Sequence, residues 1–97
     1  MSIRTMFRSK TAIAKDIIQR LIRIVVALMA DDAFSPTAPT IATHLKDKRT
    51  PDLVEAIAGC DSLLEQMKSP MTLMNPEVIR HCREALTSEV QRRDSVH

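Results

Sequence analysis

Tryptophan and tyrosine are missing from this chain, phenylalanine occurs twice, and glycine occurs once in 97 residues. Each shortage removes a class of structure or chemistry. With one glycine, neither a glycine-rich phosphate loop nor a dinucleotide fingerprint can be written. With so little aromatic area, the core must be filled by Ile, Leu, Val, Ala and six Met. The alternation of apolar and polar residues that marks a half-buried strand is nearly absent. Only two cysteines occur, Cys60 and Cys82, with no CxxC spacing. They read as buried, reduced thiols of a cytoplasmic protein, not as disulfide or zinc partners.

Long apolar runs are scarce as well. Residues 24–30 form an uninterrupted apolar run of seven, against the ~20 needed to span a bilayer. Arg20 and Arg23 interrupt the stretch before it, and no small-residue cleavage site follows, so no secretory signal is read.

What is present is helical periodicity. Residues 10–30, KTAIAKDIIQRLIRIVVALMA, carry two apolar ridges: Ile13, Ile17, Leu21, Ile24, Leu28 and Ala14, Ile18, Ile22, Val25, Met29. Their three-and-four spacing places them on one broad helical side. Lys15, Asp16, Gln19, Arg20 and Arg23 form the opposite stripe. The expected fold is all-α: a small four-helix, bundle-like single domain over residues 1–97, with this long N-terminal helix at its centre. A leader is expected at 1–9, helix 1 at 10–30, a short helix 2 at 39–46, helix 3 at 51–68 and helix 4 at 76–93.

The punctuation supports those limits. Asp31 and Asp32 meet the negative end of the first helix and oppose its continuation. Pro36 and Pro39 hold the following AFSPTAPT stretch extended or in turns. The short second helix is expected to turn Ile41, Ala42 and Leu45 inward. Thr50, Pro51 and Asp52 are start signals for the third helix. Its expected seam is Leu53, Ile57, Cys60, Leu64 and Met67, with Gly59 allowing a close approach or a bend. Asn75, Pro76 and Glu77 start the fourth helix, whose inward stripe is Val78, Cys82, Ala85 or Leu86, and Val90. Arg92 and Arg93 fall in its last turn. Met67, Met71 and Met74, with Leu73, cluster about the Ser69–Pro70 break and read as gap-filling core.

The net charge of +2 conceals a segregation. Residues 1–30 hold six basic groups and one acid, residues 31–68 hold four and seven, and residues 69–97 hold four of each. A basic N-terminal third suits an anionic surface, and equally it suits the acidic middle of its own fold or plain solvent.

No catalytic constellation emerges, and the chain reads as a non-enzyme without cofactor or metal. His44, His81 and His97 lie in no ligand or nucleophile spacing. His81 and Cys82 are helical neighbours and so point about 100° apart. The function expected is that of a small regulatory or adaptor protein acting through helix–helix contacts, as a homo-oligomer or with a protein partner. Its contact residues would be Ile17, Leu21, Ile24, Val25 and Leu28, the surplus apolar face of helix 1.

Two other readings have residues behind them. Residues 41–57, IATHLKDKRTPDLVEAI, have the skeleton of a helix-turn-helix, with Lys46, Lys48 and Arg49 placed to contact the phosphates of a nucleic acid. Asp52, Glu55 and Asp61 on its second helix oppose that use. Ile3, Met6 and Phe7, interleaved with Arg4, Arg8 and Lys10, suit an anionic membrane surface. There the segment FRSKTAIAKDIIQ resembles the opening of the bacterial division-site protein MinE, where similar residues contact membrane and partner. The proline-punctuated helices that follow do not match the β-rich half of that family, and membership is not assigned.

Overall fold

The structure, a computed structural model, describes residues 2–66 and 75–96, with side chains over 12–66 and 75–95. Among the described residues there are four helices and no strand: α1 (Ser2–Ala30), α2 (Pro39–Leu45), α3 (Thr50–Gln66) and α4 (Pro76–Val96). The methionine-rich stretch 67–74 expected as gap-filling core lies outside the described residues.

Helix α1 begins at Ser2, so residues expected as a leader continue the helix. Neither proline nor glycine occurs before Pro36, and nothing local interrupts the backbone ladder. Its 29 residues amount to about 43 Å at 1.5 Å per residue, close to the 45 Å long dimension of the molecule.

The end of α1 is built as a Schellman motif. The amide of Ala33 donates to the carbonyl of Leu28 at 2.8 Å, and that of Asp32 to Met29 at 3.1 Å. Asp32 takes the left-handed conformation this closure requires, with φ 55°. An aspartate stands where glycine is usual.

Helix α4 is capped as its sequence implies: the amide of Glu77 donates to Asn75 Oδ1 at 2.9 Å. Helix α3 differs. The carbonyl of Arg49 accepts from Leu53 at 3.1 Å, so Arg49, not Thr50, is the capping position, and the Thr50 hydroxyl is used by another helix.

Helices α3 and α4 form the most extensive pair, α1 packs on both, and α2 lies on α1 and α4. The molecule is only 19 Å thick, or about two helix diameters. The α3–α4 seam is made of small side chains, Ala56, Cys60, Cys82 and Ala85, all fully buried, which allow close approach of the two axes. Leu53, Ile79 and Leu86 close the seam, and Ile41 and Leu45 of α2 complete the core. Ala42, expected inward, is exposed. Ile57 and Leu64 pack at the edge of the core, and Ala56 takes the central position on α3.

The single glycine has a packing reason. A Cβ at Gly59 would stand 2.9 Å from Ile18 Cδ1. Gly59 therefore admits a side chain of α1 against the middle of α3.

Candidate functional site

The broad apolar side of α1 is mostly spent inside the molecule. Ile17, Leu21 and Val25 are 1%, 0% and 0% exposed, covered by the chain's own helices. They were expected to meet a partner, and that expectation is corrected: the two-layer packing consumes them. Ile24 and Leu28 are half-buried, packed against the core from its margin. Among the described large apolar side chains, Ile13, Val26 and Val54 are exposed.

Ile24 and Leu28 line an open groove along α1. Its walls include Asp16, Arg20, Arg23, Ala27, Asp31 and Thr40 of α2. The groove continues past Arg20, Ile24 and Thr40 into a second depression lined by Thr43, His44, Asp47 and Lys48. One furrow between α1 and α2 thus has an apolar floor at one end and a cluster of hydroxyl and cationic groups at the other.

The α2 wall is held by two long-range devices. His44 Nε2 lies 3.3 Å from the Ile17 carbonyl, joining α2 to the middle of α1. Burial is the main cause that lowers the proton affinity of His44, with Lys48 and Arg20 acting in the same direction. A carbonyl can only accept, so Nε2 carries the proton and donates to it.

The second device is Arg93. Its Nη2 donates to the carbonyls of Leu45 at 2.8 Å and Lys46 at 3.4 Å. Nη1 donates to the Lys48 carbonyl at 2.7 Å and to Thr50 Oγ1 at 3.1 Å. Nε donates to Glu89 Oε2 at 2.8 Å. The five bonds match the five N–H groups of a guanidinium. Arg93 thus places a positive charge on the C-terminal carbonyls of α2, of which that of Leu45 also accepts from the Lys48 amide at 3.0 Å. Glu89, only 8% exposed, is also bonded by Arg92 at 2.7 Å. The Arg92 hydrogen bond is the largest influence holding the Glu89 carboxyl below its ordinary range, and Arg93 adds to it against the cost of burial.

These devices bear on the helix-turn-helix reading. The α2–α3 turn is fastened by Arg93 to α4, while α2 and α3 make the slightest contact of any helix pair. Lys46 and Arg49 are exposed, and Lys48 is half-exposed beside Asp47 at 3.5 Å. The solvent face of α3 presents Val54, Glu55, Asp61, Ser62 and Glu65, a surface poor in groups that read base edges.

Phe34 stacks on His81 with centroids 4.2 Å apart, docking the loop after α1 on α4. Asp61 accepts from Arg83 Nε at 2.6 Å. Asp61 of the acidic middle is thus paired with α4, and Lys15, Arg20 and Arg23 of α1 form no ion pair with a described residue. Burial first, then the nearby Asp61, pushes the Cys60 thiol up to about 11. Burial and the neighbouring Cys60 push Cys82 up to about 12, and both thiols are poor nucleophiles.

Among the described residues no group of three or more His, Cys, Asp or Glu could hold a metal ion, and no helix is long and apolar enough to cross a membrane. Sequence patterns missed Arg20 and His44 as groove residues, because only the docking of α2 brings them together. In comparisons with known proteins, no family model, no curated protein and no solved structure matches this chain.

Proposed function

We propose that the chain is a non-catalytic, cytoplasmic binding protein, a small regulator or adaptor that works by helix–helix contact along the α1–α2 groove. The observation that carries this reading is the half-buried pair Ile24 and Leu28 on the floor of an open furrow. Fully burying an aliphatic side chain is worth about 1.5–3 kcal/mol. Both are already mostly covered, so completing their burial adds at most about 2 kcal/mol. That is too little for an obligate interface and suited to reversible association. The groove walls carry Asp16 and Asp31 beside Arg20 and Arg23, so the surface can complement itself. The favoured occupant is a second copy of the chain.

The DNA-binding alternative has less support, since the exposed face of α3 carries Glu55, Asp61 and Glu65. Membrane binding through residues 3–10 rests on side chains outside those described.

Light scattering over a hundredfold range of concentration tests the reading. The apparent mass should climb toward that of two chains, and Ile24→Asp with Leu28→Asp should hold it at one while circular dichroism stays helical. A wild-type mass that never rises rejects self-association, and a folded double variant that associates as well as wild type rejects the groove.

A further inference from the structure

The second end of the furrow gathers donors from three elements. Arg20 comes from α1, Thr40, Thr43 and His44 come from α2, and Lys48 comes from the turn, with Asp47 as the one acid. We infer that this depression is an oxyanion site that binds a phosphate group, held by Arg20 and Lys48 and assisted by the two threonine hydroxyls and His44.

The charge balance favours an anion. Arg20 has no ion pair with a described residue, and Lys48 meets Asp47 only at 3.5 Å. The groups facing His44 are the Ile17 carbonyl and Arg20 from α1 and Lys48 and Asp47 from the turn. The two cations lower its proton affinity while Asp47 and the carbonyl raise it. The fields of Arg20 and Lys48 therefore converge on the ring. A bound anion offsets them, and His44 becomes easier to protonate at Nδ1, since Nε2–H stays with the Ile17 carbonyl.

Geometry favours phosphate over carboxylate. A guanidinium from α1, an ammonium from the turn and two hydroxyls from α2 line one depression and offer more donors than the two oxygens of a carboxylate can use, whereas a phosphate has four. The site lies within a single chain and does not depend on a protein lying over Ile24 and Leu28. Its failure would leave the association reading standing, and the reverse holds.

The test is a titration of the purified chain followed by the Cε1–H resonances of His44 and His81, at constant ionic strength. Inorganic phosphate is one probe, a phosphoserine peptide a second, and sodium acetate the control. Phosphate should shift His44 saturably, leave His81 unmoved and raise the pKa of His44. Arg20→Gln at an exposed position and Lys48→Gln at a half-exposed one, both checked for helicity, should each weaken binding by about tenfold, or 1.4 kcal/mol. A phosphopeptide that binds more tightly than free phosphate assigns the group to a protein partner. Equal affinity assigns it to free phosphate, and either result upholds the site. No saturable shift, an equal response to acetate, or a response unchanged in the Arg20→Gln, Lys48→Gln double variant overturns it.

Discussion

Asp32 occupies a position that most residues avoid. In the left-handed conformation a Cβ crowds the following carbonyl at a cost of roughly 1–2 kcal/mol, part of which aspartate recovers through local hydrogen bonding. The same residue puts negative charge at the negative end of α1. Asp32→Gly removes both penalties and keeps the Ala33–Leu28 closure, so it should raise unfolding stability by about 1 kcal/mol, read as a higher denaturant midpoint with an unchanged slope. The identity of the terminating residues was legible in the sequence, where Asp31 and Asp32 signalled a stop. The left-handed turn was not, because aspartate only tolerates that conformation and does not demand it.

At the scale of elements, α2 is the least self-sufficient. Seven residues cannot form a stable helix alone, because nucleation is costly and few bonds follow it. Buried Ile41 and Leu45, the His44 bond to α1 and the Arg93 fork keep it in place. Arg93→Ala would take the side-chain donor from the Lys48 carbonyl and leave the Leu45 carbonyl with only the Lys48 amide, while Arg92 still answers Glu89. The expected loss is about 2–4 kcal/mol, given that hydrogen bonds to charged groups are worth roughly 1.5–3 kcal/mol each and do not add fully. Amide exchange should accelerate first in α2 and the turn. Arg93→Lys should restore only part, since an ammonium lacks the planar fork. Uniform exchange across all four helices in Arg93→Ala would mean that the residue does not hold α2 in particular. The last-turn position of Arg93 predicted help for its own helix, whereas the fold spends it on the end of another.

For the whole molecule, two buried or half-buried groups set the response to acid. His44 has its proton affinity lowered from an ordinary value of 6.5, chiefly by burial. Glu89 lies below its ordinary 4.5, chiefly through Arg92. In both cases the unfolded chain takes up the proton more readily than the folded one, so stability rises with pH across each window. The stabilisation is complete above pH 6.5, declines as His44 in the unfolded chain protonates, and declines further below pH 4.5 as Glu89 does. Denaturant midpoints measured from about pH 8 to about pH 3 should fall in two steps. His44→Gln should erase the upper step and leave the lower one. A flat profile between pH 7 and pH 5 in the wild type would show that His44 is not shielded as described.

Local interactions, which reach no further than about four residues along the chain, determined the all-α class, the apolar ridges of α1 and the Asn75–Glu77 start of α4. All of these can be read from the order of residues. Which members of the two ridges remained available was decided only when the helices packed. Ile17, Leu21 and Val25 went inside and Ile24 and Leu28 stayed at the margin, although all five belong to the same periodic pattern. The Arg93 bonds to residues 45 and 48 positions away likewise depend on where α4 crosses the α2–α3 turn. So does the meeting of Arg20, His44 and Lys48. Crossing positions are set by the shapes of many side chains filling one core at once, and no local pattern contains that sum.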